Sequence, residues 1–168
     1  IIGLGNTGRK VAEIANVFGC RVIYYCAVGN NTSTEYERVD FDILLAESDI
    51  LSLHCPLTDR TQNIINADAL AKMKKTAILI NVARVPVVDE QALYDALENG
   101  TIAAAGLDVL VKEPIAADNP LGKIKDSTKL LITPHMAWGS HEARERCAKE
   151  VYQNIESFLN GKERNIVV

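Results

Sequence analysis

One arginine, two acids and one histidine in this sequence stand just after short apolar runs. Arg84 follows Ile78-Leu79-Ile80-Asn81-Val82-Ala83, and Asp108 follows Ala103-Ala104-Ala105-Gly106-Leu107, with Glu113 a little further on. His135 follows Leu130-Leu131-Ile132-Thr133-Pro134. If the runs are parallel strands of an open α/β sheet, all four residues come at carboxyl ends, where such sheets bind ligands. The chemistry of the set is specific. A guanidinium grips a carboxylate through paired hydrogen bonds and polarises an adjacent carbonyl. A histidine titrates near neutrality, so it can take a proton from a hydroxyl as hydride leaves for a nicotinamide. A carboxylate beside that histidine favours its protonated form and fixes its orientation. Each residue alone has a plainer reading: Arg84 in a surface ion pair, the acids solvated, His135 packed. Their joint placement is what favours the chemical one.

The same crevice needs something to hold a cofactor. Gly3-Leu4-Gly5-Asn6-Thr7-Gly8 fits GxGxxG, here after a strand-like start and before a helical run. Gly3 allows the tight turn, Gly5 lets backbone approach a pyrophosphate, and Gly8 permits close helix–strand packing. The helix N-terminus offers unpaired N–H groups to the phosphates. An acid is expected about 20 residues on, to hold the ribose hydroxyls. The strand Val22-Ile23-Tyr24-Tyr25-Cys26 instead ends on a thiol, a weak hydrogen-bond partner. Residues 27–31 are neutral, so a 2′-phosphate would lack a cationic partner. NAD is the expected cofactor, and NADP stays open.

The elements that must position these residues follow from alternating apolar runs and helical patterns, the signature of βαβ units. Strands are expected over 1–3, 21–25, 50–53, 77–82, 102–109 and 129–133. Helices are expected over 7–18, 41–47, 67–72, 90–98 and 140–159. Asp89 is a candidate N-cap, and Asn99-Gly100 a helix stop. In the last helix Ala143, Ala148, Val151, Ile155, Phe158 and Leu159 form an apolar stripe, ended by Gly161. The expected fold is α/β: a doubly wound, mostly parallel sheet of the Rossmann type with helices on both faces. Residues 1–168 are read as one dinucleotide-binding domain. The stretch 112–120, with its prolines, is the best long loop.

Composition narrows the function classes. The 168 residues are 48% hydrophobic and 24% charged, and the net charge of -4 argues against nucleic acid or an anionic membrane as partner. No apolar run approaches the ~18 residues of a membrane span. Cys20, Cys26, Cys55 and Cys147 are scattered with no CxxC pair, the pattern of reduced thiols in a cytoplasmic protein. Nothing in the three histidines suggests a metal site. His54 and Cys55 follow a strand without a charged partner and are expected to shape a loop around the cofactor. His141 is read as a surface residue. Only Ile1 and Ile2 precede Gly3, against the ~5–6 residues of a typical strand. The chain is therefore expected to be part of a longer protein.

Several blocks together resemble the D-isomer-specific 2-hydroxyacid dehydrogenases, over essentially the whole chain. They are the glycine turn, His54-Cys55-Pro56-Leu57-Thr58, Asn81-Val82-Ala83-Arg84, Gly106-Leu107-Asp108-Val109, Glu113-Pro114 and Thr133-Pro134-His135-Met136-Ala137-Trp138. The resemblance implies Arg84 as the substrate-carboxylate anchor, His135 as acid/base and Glu113 as its partner. It implies Asp108 on the nicotinamide carboxamide, with Val82 and Ala83 at that end. Asn6 and Thr7 would meet the pyrophosphate, and Cys55, Pro56 and Thr61 the adenosine side. It further implies a homodimer paired through this domain, and a smaller substrate-binding domain outside this sequence.

Three positions depart from the family pattern. Cys26 replaces the usual acid, Thr7 stands where an apolar residue is common, and Val85-Pro86 follows Arg84 in place of glycine. A β-branched residue restricts the backbone beside the site. The leading expectation is exchange of hydride with a 2-keto or D-2-hydroxy acid, hydroxypyruvate/glycerate first by family analogy. Formate or phosphite oxidation is an alternative, and a cofactor-sensing protein of the corepressor type is another.

Overall fold

Short runs rich in isoleucine, leucine and alanine form the four-stranded sheet, and Asp, Asn and Ser residues stand at the N-caps of four of the five helices. The computed structural model describes residues 1–28 and 33–167. In chain order the elements are α1 (Asn6–Val17), β1 (Ile23–Tyr24), β2 (Glu37–Arg38), α2 (Phe41–Glu47), β3 (Ile50–Leu53) and α3 (Ala67–Lys72). They continue with β4 (Ile78–Asn81), α4 (Glu90–Glu98), β5 (Ala104–Leu107), β6 (Leu130–Ile132) and α5 (His141–Leu159). Single 3-10 turns lie at Val85–Val87 and Pro120–Lys123.

β3, β4, β5 and β6 pair in that order, and β1 pairs with β2, all in parallel. Ile2 joins the two groups by bridging in parallel to both Tyr25 and Leu53. Its N–H donates to the Ser52 carbonyl at 2.9 Å, and the Gly3 N–H to the Tyr25 carbonyl at 2.9 Å. The chain thus starts in the middle, winds to one side through β1 and β2, then crosses to the other. That reversal is the switch point beside which open α/β sheets bind ligands. The glycine turn begins one residue later.

Alternation along the strands sends side chains to two faces. Ile23, Leu51, Leu53 and Leu79 join the larger core with Leu44 and Leu45 of α2, Ala69 and Leu70 of α3, and Leu93 and Leu97 of α4. Tyr24 points the other way, into a smaller cluster with Leu4, Cys26 and Ala12 of α1. This is the doubly wound α/β arrangement expected from the sequence. The caps agree as well. Asp89 accepts from the Ala92 N–H at 3.0 Å to open α4, and Gly100, at φ +66°, ends it.

The differences are local. The strand expected over 21–25 is reduced to Ile23–Tyr24 plus the Tyr25 bridge, that over 1–3 to the bridges of Ile2, and β4, β5 and β6 are one or two residues shorter at each end than expected. β2 was not expected: both its residues are exposed, so it carries no apolar alternation. Of the neutral stretch 27–31, residues 29–31 lie outside the described residues.

The described residues gather into two compact units, Ile1–Pro134 and His135–Val168. In the second, the Ser140 side chain caps α5 by accepting from the Ala143 N–H at 3.2 Å. The expected apolar stripe lies on α5, yet none of the helix is buried. Among the described residues no helix is long and apolar enough to cross a membrane.

Candidate active site

The three glycines of the turn are required for different physical reasons. Gly3 has φ +90°, and a Cβ there would stand 2.8 Å from the Cys55 backbone nitrogen. A Cβ on Gly8 would meet the Gly3 carbonyl oxygen at 2.1 Å. Conformation and packing therefore dictate glycine at both. Gly5 differs: its φ of -79° and ψ of -164° suit any residue, and a Cβ would meet no protein atom within 4 Å. What glycine keeps clear there is the space in front of the α1 N-terminus. Gly5 is the α1 N-cap, with no side chain capping the helix, and the first N–H groups of a helix have no partner within it. Asn6 and Thr7, both exposed, sit at that end. The arrangement fits the pyrophosphate of a dinucleotide.

Three chain segments meet beside it. Thr7, His54, Cys55, Pro56, Leu57, Val82, Ala83 and Arg84 line one cleft of about 560 Å³. It brings together Thr7, Cys55, Pro56, Val82 and Ala83, five of the twelve residues assigned to the cofactor, with the proposed carboxylate anchor. Thr61 is not among them. It is fully buried, donating to the Pro56 carbonyl at 2.7 Å and accepting from the Thr58 N–H at 2.8 Å, so it fixes the loop that carries Cys55 and Pro56. His54 is held by the Ser52 hydroxyl, 2.9 Å from its Nε2, and burial pushes its pKa down. Burial pushes the Cys55 thiol up. Both shifts favour neutral side chains. Cys26 is 6% exposed in the smaller core cluster, so it offers little surface to a ribose.

The turn bearing Arg84 is built by Asn81, the polar residue at the end of β4. Asn81 is buried; its Oδ1 accepts from the Ala83 N–H at 3.0 Å and its Nδ2 donates to the Arg84 carbonyl at 3.2 Å. These bonds curl the chain out of β4 and into the Val85–Val87 turn, where the Val85-Pro86 departure is accommodated. Arg84 is exposed, its Nη1 donating to the Ala83 carbonyl at 2.8 Å.

Asp108 is buried at the end of β5, its N–H donating to the Asn81 carbonyl at 2.9 Å and its carboxylate accepting from the Thr133 hydroxyl. Glu113 is exposed in the following loop, its Oε1 accepting from the Leu110 N–H at 3.0 Å. His135 opens the second unit, exposed and at φ +52°. Non-glycine residues with positive φ are uncommon, and such strain gathers at functional positions. The turn is closed locally: the Trp138 indole N–H donates to the His135 carbonyl at 2.8 Å, and the Gly139 N–H to the Met136 carbonyl at 2.9 Å. Among the described residues no three His, Cys, Asp or Glu side chains are grouped to hold a metal ion.

Known proteins are similar to this chain in sequence and fold. Residues 1–137 match the family described as D-isomer specific 2-hydroxyacid dehydrogenase, NAD binding domain. A hydroxypyruvate reductase of Blautia hydrogenotrophica is 43% identical over 171 residues, covering 99% of this chain and 52% of that protein. A D-lactate dehydrogenase of Lactobacillus jensenii, solved with NAD+, superposes with a TM-score of 0.89 at 36% identity, covering 99% of this chain and 54% of its own. An acyclic imino acid reductase solved with NADPH and D-Arg gives a TM-score of 0.89 at 40% identity, covering 99% and 52%. The chain spans about half the length of each of these relatives.

Proposed function

The chain belongs to the D-isomer-specific 2-hydroxyacid dehydrogenase family, in its NAD-binding domain, and we propose that it holds a nicotinamide cofactor for hydride exchange with a D-2-hydroxy acid or its 2-keto acid. The observation that carries this reading is the cleft uniting Thr7, Cys55, Pro56, Val82, Ala83 and Arg84 beside a glycine turn whose Gly5 no intramolecular contact requires. A bound nicotinamide would donate or accept the hydride.

The residues of this chain do the rest. The α1 N-terminus, with Gly3, Gly5, Asn6, Thr7 and Gly8, would receive the pyrophosphate. Cys55 and Pro56, supported by Thr61, would border the adenosine side, and Cys26 would be the residue at the ribose position. Val82, Ala83 and Asp108 would hold the nicotinamide end. Arg84 pairs with the substrate carboxylate and draws electron density from the neighbouring carbonyl. His135 gives a proton to the carbonyl oxygen in reduction and takes it from the hydroxyl in oxidation. Glu113 steadies that ring and its proton.

NAD is favoured because Ala27 and Val28, which follow Cys26, offer no cation to a 2′-phosphate; the NADPH bound by the imino acid reductase keeps NADP open. Hydroxypyruvate, the substrate named for the Blautia relative, leads the 2-keto acids. The family resemblance supports a homodimer paired through this domain, and the scattered thiols support a cytoplasmic site. The test is a panel of 2-keto acids offered to the intact protein with NADH and with NADPH, followed by absorbance loss of the nicotinamide. Hydroxypyruvate and glyoxylate are expected to be reduced. Silence across the panel, with formate or phosphite oxidised or no turnover at all, overturns the reading.

A further inference from the structure

The loop that presents Glu113 is closed by a carboxylate from another element. Glu90 is the first residue of α4, directly after the Asp89 cap. Its Oε1 accepts from the Val111 N–H at 2.8 Å, and its Oε2 accepts from the Asn119 side-chain amide at 2.7 Å. One side chain thus ties the start of the loop to its end. Asn119 is buried, and its Oδ1 accepts from the Leu121 N–H at 2.9 Å to start the Pro120–Lys123 turn. Leu110 and Leu121, both buried in the larger core, anchor the two flanks.

Glu113 joins this clasp at an informative point. Its carboxylate accepts the Leu110 N–H, and Glu90 accepts the N–H of the next residue, Val111. Two successive peptide groups are oriented by two carboxylates, so a rotation that frees one disturbs the other. Hydrogen bonds to a carboxylate are among the stronger ones a protein makes. Without Glu90, the stretch between Val111 and Asn119 would lose these two hydrogen bonds to α4.

We propose that Glu90 is a positioning residue, which fixes the 110–119 loop and through it the place of the Glu113 carboxylate, while touching neither substrate nor cofactor. The proposal rests on the reading that Glu113 serves His135. It follows that Glu90 matters to turnover only through Glu113.

Steady-state kinetics of the intact protein with hydroxypyruvate and NADH test it, using Glu90→Ala, Glu113→Gln and the double variant. Glu90→Ala is expected to lower kcat by about 10- to 100-fold, the scale of displacing a catalytic group by about 1 Å. KM and cofactor Kd are expected to stay within about twofold, because the binding contacts lie elsewhere. On the Glu113→Gln background, Glu90→Ala is expected to cost almost nothing further. If Glu90→Ala does not fold, Glu90→Gln, which keeps one acceptor oxygen, carries the same comparison with a smaller loss. A normal kcat for the Glu90 variant beside a slow Glu113→Gln overturns the proposal and leaves the role of Glu113 standing. Equal losses on both backgrounds overturn it too, since Glu90 would then act independently of Glu113. A normal kcat for Glu113→Gln overturns both readings together.

Discussion

Replacing Gly5 and Gly8 separately by alanine distinguishes what the fold demands from what a ligand demands. At Gly8 the new Cβ would lie 2.1 Å from the Gly3 carbonyl oxygen. Ordinary contact needs well over 3 Å, so α1 or the turn must shift by more than 1 Å, against the Leu4 and Ala12 packing. Overpacking of this kind costs about 1–3 kcal/mol. At Gly5 the Cβ meets no protein atom within 4 Å and the backbone is already extended. Alanine is a poorer N-cap than glycine, but it also restricts the unfolded chain, and these effects oppose each other at under about 1 kcal/mol. Gly5→Ala is therefore expected to melt within a few degrees of the parent. The same methyl group occupies the space a pyrophosphate would approach, so NADH affinity should fall about 10- to 100-fold, or about 1.4–2.8 kcal/mol. Urea denaturation and calorimetric titration of both variants give the two quantities. Should Gly5→Ala lose stability as Gly8→Ala does, or keep full affinity, the assignment of Gly5 to the phosphate site is refuted.

Three further outcomes are expected. In the intact protein His135→Ala should cut kcat by about 10²–10⁴-fold with cofactor affinity unchanged, whereas Arg84→Ala should also raise the substrate KM; stopped-flow and steady-state kinetics separate them, and a near-normal His135→Ala defeats the mechanism. Cys26→Asp should raise the preference for NAD over NADP by about 10-fold, the worth of one charged hydrogen bond, and should lower stability because the site is 6% exposed; an unchanged ratio of dissociation constants means the side chain does not reach the ribose. Burial holds His54 below its ordinary pKa of 6.5, so the unfolded chain protonates first as the pH falls. Its contribution to stability is full above about pH 6.5 and is lost as the pH drops toward the folded value. His54→Gln should flatten that part of the stability–pH curve, and an identical slope would exclude the ring as its source.

The sequence displays those parts of the structure that rest on local pattern. Helices announce themselves through a cap and a stop, as Asp89 and Gly100 do for α4, and strands through runs such as Ile78-Leu79-Ile80. The glycine turn is legible because Gly3 and Gly8 answer to sterics that recur wherever a strand runs into a helix so tightly. What escapes is held by contacts between distant residues. Glu90 lies 29 positions from Asn119, and nothing in either neighbourhood marks the pair. Asn81 reads as one polar residue in a strand, although its side chain shapes the turn behind Arg84. Thr61 shows the converse: a residue expected at the cofactor is turned inward by its own hydroxyl bonds. The α5 stripe marks an apolar face, yet the pattern does not say what covers it, and Phe158 remains 81% exposed.

The central claim is that residues 1–168 bind a nicotinamide dinucleotide across the glycine turn and the neighbouring strand ends. Titrating NADH into a ¹⁵N-labelled sample of this domain, with amide shifts followed by NMR, tests it most directly. Saturable shifts are expected below about 1 mM, centred on Gly5–Gly8, Cys55–Leu57 and Val82–Arg84. Shifts that fail to saturate at several millimolar, or that saturate while those segments stay still, would contradict it.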